Sequence, residues 1–248
     1  MDFSNLLYSS TALFLDFDGT LVDIAEQPNE VAVPHGLVPT LGLLKDYLGG
    51  AVAVVSGRPI SQIDDFLRPL QLACAGVHGA ERRSASGATT LLSAPALELV
   101  EQAARNLAAS NAGLLVERKR GSLALHYRQA PELEALCLSA MQDAVQQSPG
   151  VTLLRGKMVV EAKPSGATKG GAIEEFLREA PFAGRTPLFV GDDITDEVGF
   201  ASVQRLGGLG VKVGEGPTVA WQRIATPELF RQELQAAAAA RTGKAVTQ

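Results

Sequence analysis

Two aspartates, Asp16 and Asp18, stand two residues apart directly after the apolar run 12–15. A charged carboxylate at the end of a buried strand is costly unless it is paired, hydrogen-bonded or bound to a metal. This pair suits phosphoryl transfer, in which one aspartate attacks phosphorus while its neighbour handles the proton and a divalent cation neutralises the phosphate. The first candidate chemistry is therefore phosphoryl transfer.

A second acidic cluster lies near the other end of the chain, after the apolar run 188–190. Its members are Asp192, Asp193 and Asp196. Either cluster alone is also consistent with a solvated loop or an Asp-rich helix start. Because both follow predicted strands, together they predict one Mg²⁺ site assembled from both ends of the chain.

A third polar segment, Ser56-Gly57-Arg58, ends the apolar run 51–55 and precedes Pro59, which suits a first helical turn. A hydroxyl and backbone N–H groups at a helix N-terminus form an anion site. The alternative is an ordinary helix cap. The position at a third strand end, beside two carboxylate clusters, favours phosphate binding.

Lys169 follows the segment 164–168 and starts a predicted helix. A lysine in the first turn is electrostatically unusual, because the helix dipole already places positive charge there. A phosphate within reach of the ammonium group would explain it. A solvated lysine is the alternative.

Alternation of strands and helices predicts the elements that position these residues. The predicted strands are 12–16, 51–56, 72–77, 188–191 and 210–213, and the predicted helices are 37–48, 60–67, 169–179, 197–206 and a last one from about 227 to Gly243. Continuous apolar strands separated by helices indicate a parallel sheet covered on both faces. We therefore expect an α/β fold with a Rossmann-like, doubly wound core.

The middle of the chain has a different pattern. Predicted strands come in neighbouring pairs, 114–119 with 122–128 and 152–155 with 158–163, and helical patterns at 96–109 and 133–147 precede them. Tight turns between paired strands indicate antiparallel hairpins. This predicts an inserted α+β domain at residues 84–163, within a core formed by residues 1–83 and 164–248.

Period-two alternation places charged residues on one face of the insert's strands. Glu117 lies with Lys119, His126 with Arg128, and Glu161 with Lys163. One interpretation is an antiparallel sheet with a solvated face. The other is a polar face that binds hydroxyl groups, and the pattern alone does not decide between them.

Composition limits the class of protein. The chain has 248 residues, is 46% apolar and 20% charged, and carries a formal net charge of −5. This indicates a globular protein and argues against nucleic acid or an acidic membrane as partner, because both attract basic surfaces. Cys74 and Cys137 lack metal-site spacing and predict buried free thiols in a reducing compartment. With no signal-peptide pattern and no apolar run near about 20 residues, the sequence predicts a cytoplasmic protein.

The motifs resemble those of a known superfamily. The pattern Asp16-x-Asp18-Gly19-Thr20, then Ser56, Lys169 and Gly191-Asp192-Asp193-x-Thr195-Asp196, matches in order the four motifs of the haloacid dehalogenase-like phosphohydrolases. The resemblance extends to one family within it, the trehalose-6-phosphate phosphatases. The additional matching blocks are Ser56-Gly57-Arg58-Pro59, 76–81, 117–128, 161–164 and 170–172.

The resemblance implies a core with a mobile cap and Mg²⁺ between them. Asp16 would be the nucleophile and form an aspartyl-phosphate, and Asp18 would protonate the leaving sugar oxygen and then activate water. The Asp16 carboxylate, the Asp18 backbone carbonyl and Asp192 would bind Mg²⁺, which usually takes few carboxylates. Asp193 and Asp196 would orient these ligands.

The resemblance also implies roles around the metal. Ser56 and Lys169 would complete a charge-stabilising cradle for the transferring phosphoryl group. The residues that shape the pocket would be Thr20, Gly57, Arg58, His78 and Gly79. The residues that bind sugar hydroxyls would be Glu117, Lys119, Arg128 and Glu161.

The expected activity is Mg²⁺-dependent hydrolysis of trehalose 6-phosphate, the last step of trehalose biosynthesis, by a monomer or weak oligomer. The first alternative is a phosphatase for another sugar phosphate, of the sucrose 6-phosphate or glucosylglycerate phosphate type. The second is a catalytically inactive sugar-phosphate sensor, against which the intact Asp16, Asp18, Lys169 and Asp192 argue. A signalling receiver also phosphorylates an aspartate, but it has no role for Asp18 as acid and base or for the insert.

Overall fold

A computed structural model describes residues 3–25, 31–92, 96–119, 121–156 and 158–243, except for the side chain of Lys119. The chain divides into two compact units, a core unit of residues 1–90 and 168–248 and an insert unit of residues 91–167. These divisions lie a few residues beyond the predicted boundaries. Two short strands after residue 80 extend the core sheet, and the last strand of the insert reaches Pro164.

The elements follow the predicted order with short additions. The strands are β1 (Thr11–Leu15), β2 (Val52–Val55), β3 (Ala73–Gly76), β4 (Glu81–Arg83), β5 (Thr89–Leu91), β6 (Leu115–Lys119), β7 (Ser122–His126), β8 (Val151–Gly156), β9 (Val159–Pro164), β10 (Thr186–Gly191), β11 (Leu209–Val213) and β12 (Gln222–Ile224). The α-helices are α1 (Leu37–Tyr47), α2 (Ile60–Leu67), α3 (Glu98–Ser110), α4 (Glu134–Gln146), α5 (Lys169–Phe176), α6 (Glu197–Arg205) and α7 (Pro227–Thr242). Short 3₁₀ turns cover Phe3–Leu6, Val77–Gly79, Pro131–Leu133 and Ile194–Asp196.

The core sheet has the order β12-β11-β10-β1-β2-β3-β4-β5. The pairs from β12 to β3 are parallel, and β3 pairs with β4 antiparallel. Every residue of β1 and of β2 is buried. Because alternate side chains point to opposite faces, both faces of these strands are covered. The predicted fold class, a doubly wound α/β core with an α+β insert, is confirmed.

Helix caps place the residues that start α5 and α7. The Thr168 side chain accepts a hydrogen bond of 2.9 Å from the Gly171 N–H, so Lys169 is the first residue of α5. Thr226 caps α7 in the same way, at 3.1 Å from the Leu229 nitrogen. The left-handed Gly243, with φ of 65°, ends α7 as predicted.

The insert unit is an antiparallel sheet in the order β6-β7-β9-β8. Alternate residues of β7 and β9, among them Leu125 and Val160, pack with α3 and α4 in one apolar cluster. Glu117 of β6 and Glu161 of β9 share the opposite face with Ala124 of β7. However, β7 ends at His126, and a Tyr127–Ala130 turn follows. The prediction that Arg128 shares a strand face with His126 is therefore wrong, because strand alternation stops before it.

Three short strands escaped prediction: β4, β5 and β12. Each has only three residues and a polar or charged composition that no apolar pattern reveals. In β4, Arg83 forms a bidentate ion pair with Asp64, at 2.6 and 2.7 Å. That pairing compensates the burial of a charged strand against the core.

Cys74 and Cys137 are both buried and form no disulfide, as predicted. Burial raises the pKa of the Cys74 thiol to about 12, so it stays protonated. Within the described residues, every helix is too short or too polar to cross a membrane.

Candidate active site

The two acidic clusters meet at the centre of the core sheet. Asp16 follows β1 and Asp192 follows β10, and these strands are parallel neighbours. The chain runs outward from β1 to β3 on one side and from β10 to β12 on the other, so the strand order reverses here. In open α/β sheets, ligands bind at this point, outside the carboxyl ends of the strands. Carboxylate oxygens of Asp16, Asp192 and Asp196 lie within 4.8 Å of one another.

Lys169 joins two of these carboxylates. Its ammonium group donates to Asp16 Oδ1 and to Asp196 Oδ1, each at 2.7 Å. All three side chains are buried. Burial opposes the charge on Lys169, but Asp16 and Asp196 outweigh it and hold the pKa of Lys169 above its ordinary value. The ion pairs explain why a cation is tolerated in the first turn of α5.

Asp196 has its oxygens fully committed to protein donors. Besides the bond from Lys169 to Oδ1, its Oδ2 accepts the backbone N–H groups of Asp192, at 3.1 Å, and Asp193, at 3.0 Å. Asp193 is exposed and completes a reciprocal capping box with Asp196. A carboxylate with three donors has little capacity left for a cation, so Asp196 is suited to orienting its neighbours.

Asp192, in contrast to Asp196, has a carboxylate oxygen without a protein donor in the described part of the chain. Its Oδ1 is buried and has no hydrogen-bond partner among the described residues. Burial, and then the charge of Asp196, raise the pKa of Asp192 to about 6. An orphaned carboxylate oxygen beside a second carboxylate has the donor chemistry that Mg²⁺ prefers.

Gly19 makes room for the Asp192 carboxylate. Its φ is 79°, and a Cβ atom on it would lie 2.0 Å from Asp192 Oδ2. Any larger residue would displace the carboxylate or the loop after Asp16, and the positive φ adds strain for an L side chain. The glycine is therefore part of the site's geometry.

The nucleophile candidate Asp16 is buried among charged and polar side chains. Its backbone N–H donates to the Val190 carbonyl at 2.9 Å, and the Thr20 hydroxyl lies 3.5 Å from Oδ2. Burial and the nearby Asp196 raise the pKa of Asp16, while Lys169 opposes the rise. A bound divalent cation would favour the charged form and reverse this shift. The donor set therefore fits a divalent cation.

Asp18 is held by Arg58. The guanidinium donates from Nε to Asp18 Oδ2 at 2.6 Å and from Nη2 to Asp18 Oδ1 at 2.7 Å. Arg58 also bonds Gln62 at 3.3 Å and lies over the Phe66 ring, 5.2 Å from its centroid. Asp18, the candidate acid and base, is thus held through both carboxylate oxygens by an arginine that also stacks on Phe66.

The segment around Ser56 differs in part from the prediction. The Ser56 hydroxyl accepts the Arg58 N–H at 3.1 Å, and α2 begins only at Ile60. The Ile60 N–H already donates to the buried Glu81 carboxylate, at 3.1 Å. This first helical N–H is therefore not open to an anion.

His78 and the glycines beside it form a tight turn next to that segment. His78 has left-handed backbone angles, and its N–H donates to the Ser56 carbonyl at 2.9 Å. A Cβ on Gly57 would lie 2.7 Å from the His78 ring, and one on Gly79 would lie 2.8 Å from the Thr168 carbonyl oxygen. Of the predicted pocket residues, Gly57, His78 and Gly79 are therefore close neighbours.

Within the insert unit, two predicted sugar-binding carboxylates have polar partners. Glu161 is buried and accepts the Ser122 hydroxyl at 2.7 Å, and Glu117 contacts His126 Nε2 at 2.9 Å. The register places Glu117, Ala124 and Glu161 side by side across three strands. Arg128 is exposed in its turn, and the side chain of Lys119 lies outside the described part of the chain.

Comparison with known proteins identifies the family. The family model described as trehalose-phosphatase matches residues 14–230, which include both acidic clusters and the whole insert.

The chain belongs to the trehalose-phosphatase family.

A member from Escherichia coli, the trehalose-6-phosphate phosphatase of strain K12, is 43% identical over 228 residues, or 90% of this chain and 85% of that protein. The C-terminal domain of trehalose-6-phosphate phosphatase from C. albicans superposes with a TM-score of 0.81 at 22% identity, covering 93% of this chain and 92% of that one. A haloalkanoate (HAD) superfamily phosphatase from Bacteroides thetaiotaomicron gives a TM-score of 0.65 at 14% identity, covering 94% and 95%. At these identities the two structures establish a shared fold. The predicted family is confirmed, and the chain shares its fold with the superfamily that the motifs resemble.

Sequence reasoning missed two buried charged residues of this trehalose-phosphatase site. Glu81 caps α2, and Lys212, in β11, donates to the backbone carbonyl of Asp192. Glu81 lay inside a block of the family resemblance but was given no role. For Lys212 the available signal was a lysine in the middle of the otherwise apolar strand Leu209–Val213.

Proposed function

We propose that this chain is a trehalose-6-phosphate phosphatase, which hydrolyses trehalose 6-phosphate to trehalose and inorganic phosphate. The observation that carries the proposal is the buried Asp16 carboxylate, bonded to Lys169 and adjacent to the orphaned Asp192, in a chain of the trehalose-phosphatase family. A buried carboxylate beside a fixed ammonium group suits a nucleophile for phosphoryl transfer.

The residues that would hold Mg²⁺ are Asp16 and Asp192 through their carboxylates and Asp18 through its backbone carbonyl. When bound, Mg²⁺ neutralises the charge on the phosphoryl oxygens and orients them. Lys169 adds a second fixed positive charge, bonded to Asp16 Oδ1. Asp196 and Asp193 hold Asp192 and Lys169 in place.

In the first step a carboxylate oxygen of Asp16 attacks phosphorus, and the bond between phosphorus and the sugar oxygen breaks. The Asp18 carboxyl group gives its proton to that sugar oxygen, and trehalose leaves. Arg58 binds both oxygens of Asp18 in the resting arrangement. Proton transfer therefore requires that Arg58 release one carboxylate oxygen of Asp18. The incoming substrate would compete with Asp18 for the Arg58 guanidinium.

In the second step the ionised Asp18 takes a proton from water, and the water oxygen attacks the phosphorus of the aspartyl-phosphate. The bond between phosphorus and Asp16 breaks, which releases inorganic phosphate and restores both aspartates. Ser56 and Lys169 stabilise the charge on the phosphoryl group in both steps.

The insert unit supplies the contacts that select the sugar. Glu117 and Glu161, with Lys119 and Arg128, bind hydroxyl groups of the disaccharide. Thr20, Gly57, Arg58, His78 and Gly79 shape the pocket around the phosphate. A cytoplasmic location, supported by the two buried free thiols, and a monomeric or weakly oligomeric state complete the proposal.

A phosphate-release screen tests the proposal. Trehalose 6-phosphate, sucrose 6-phosphate, glucosylglycerate phosphate and glucose 6-phosphate are each incubated with the protein, in Mg²⁺ and in excess chelator. We expect the highest kcat/KM for trehalose 6-phosphate, only in Mg²⁺. A higher kcat/KM for another sugar phosphate would reassign the substrate. Binding of trehalose 6-phosphate without phosphate release would indicate the sensor.

A further inference from the structure

Lys212 is a buried cation for which the reaction described above has no use. It lies in β11 between Val211 and Val213 and is 5% exposed. A buried ammonium group is costly unless protein acceptors replace its water. Such an acceptor lies at the candidate cation site.

The Lys212 ammonium group donates to the backbone carbonyl oxygen of Asp192. The strand register explains the reach, because Lys212 of β11 pairs with Gly191 of β10, the residue just before Asp192. Asp192 is therefore held at two points, its carbonyl by Lys212 and its N–H by Asp196 at 3.1 Å, and its carboxylate occupies the space that Gly19 leaves open.

These two bonds fix the backbone of Asp192 and do not engage its carboxylate. Oδ1 is buried and has no hydrogen-bond partner among the described residues. Fixing a backbone while leaving a carboxylate oxygen unmatched costs stability unless the oxygen has a ligand. Residues that bond a metal ligand without contacting the metal itself typically orient that ligand, as Lys212 would orient Asp192.

We propose that Lys212 is a positioning residue for the divalent cation: its bond to the Asp192 carbonyl sets the direction of the Asp192 carboxylate. The inference rests on the proposed function, since it needs a cation at Asp16 and Asp192. The competing interpretation is a buried lysine that only stabilises the strand. The two interpretations predict different Mg²⁺ affinities for a protein in which Lys212 is replaced.

The test is isothermal titration calorimetry of the full chain with Mg²⁺ alone, for the wild type and Lys212→Met. Methionine keeps the length and removes the donor and the charge. Loss of a group that orients a metal ligand typically weakens metal binding about 10- to 100-fold. We expect that rise in the Kd for Mg²⁺, with a parallel rise in the Mg²⁺ concentration needed for half-maximal hydrolysis of an aryl phosphate. At saturating Mg²⁺ we expect kcat within a few-fold of wild type.

Two further variants keep the test decisive. Lys212→Leu, which also removes the donor and the charge, replaces the methionine variant if that protein does not fold, and the same rise in Kd is expected. Lys45→Met is the matched control, because Lys45 also donates to a backbone carbonyl, that of Gln71, at 3.0 Å. We expect wild-type Mg²⁺ affinity for this control.

The outcomes separate this inference from the proposed function. A lowered Tm with an unchanged Kd for Mg²⁺ in the Lys212 variants would overturn the positioning role and leave the phosphatase intact. Absence of Mg²⁺ binding by the wild type would overturn both. If the wild type binds Mg²⁺ but does not hydrolyse trehalose 6-phosphate, the proposed substrate alone would be overturned.

Discussion

The carboxylates at the centre of the core unit have different partners, and the partners separate their roles. Asp196 accepts three protein donors, Asp16 is bonded to Lys169, and Asp192 keeps one buried oxygen without a partner. Asp18 is held by Arg58. Because their surroundings differ, we propose that Asp196 is an anchor, Asp16 the nucleophile, Asp192 a metal ligand and Asp18 the proton carrier.

Asp16→Asn tests the nucleophile. The amide keeps the shape but is a far weaker nucleophile, so we expect phosphate release to fall to background while circular dichroism and Tm show a folded protein. Asp23→Asn is the control, because Asp23 forms an ion pair with Arg231 and is largely exposed. Wild-type turnover by Asp16→Asn would refute the covalent mechanism.

Metal exchange tests the cation. We expect activity to disappear in excess chelator, to return with Mg²⁺ and to remain low with Ca²⁺. Ca²⁺ takes more oxygen ligands at longer distances, so it can engage both oxygens of Asp16 and hold the nucleophile away from phosphorus. Phosphate release in each ion, measured after dialysis, decides the point. Full activity in chelator would contradict the assignment.

At the scale of elements, the N-terminus of α5 positions Lys169. Thr168 caps α5, whose first residue is Lys169, and Thr226 caps α7 with a bond of similar length. The two caps are the same interaction in different places. One precedes Lys169, to which we assign a catalytic role, and the other starts a helix to which we assign no catalytic residue.

Thr168→Ala and Thr226→Ala form a matched pair. Each loses one capping bond, and we expect each to lower the free energy of unfolding by about 1 kcal/mol, measured by urea denaturation. Only Thr168→Ala should also reduce kcat, because fraying of the first turn of α5 loosens Lys169. Equal kcat in the two variants would show that Lys169 is held by its ion pairs alone.

At the scale of the whole molecule, the chain divides its work between two units. The core unit carries the buried aspartates and Lys169, and the insert unit carries Glu117 of β6 and Glu161 of β9 on either side of Ala124 of β7. We assign chemistry to the first and choice of sugar to the second. Substitutions in the insert unit should therefore affect the hydrolysis of a sugar phosphate more than that of a small aryl phosphate.

Glu117→Ala and Glu161→Ala test the division. A hydrogen bond to a charged group contributes about 1.5–3 kcal/mol, so kcat/KM for trehalose 6-phosphate should fall about 10- to 150-fold. Hydrolysis of a small aryl phosphate, which lacks the sugar, should change little.

Glu98→Ala, at an exposed position of α3, is the control on the same unit. Equal losses on both substrates, with a lowered Tm, would assign Glu117 and Glu161 to the stability of the insert. Unchanged kcat/KM for trehalose 6-phosphate would assign them to a solvated sheet surface.

Much of this molecule follows from local pattern. The continuous apolar runs before Asp16 and Asp192 predict parallel core strands, and the paired strands of residues 114–163 predict the insert, because burial and alternation are properties of neighbouring residues. The motif spacing placed Asp16, Asp18, Lys169 and Asp192 at element ends. The short polar strands β4 and β12 have no such signal, because their pairing depends on a neighbour far along the chain.

Only the tertiary structure decided which partner each charged group has. Asp18 and Arg58 are 40 residues apart, and Asp16 and Lys169 are 153 apart. The bonds from Glu81 to α2 and from Lys212 to Asp192 are likewise set by which strands lie side by side. A sequence states which charges exist and at which element they stand. Which charge is neutralised, and which carboxylate oxygen is left for a cation, depends on the sheet order and the packing that bring distant residues within 3 Å.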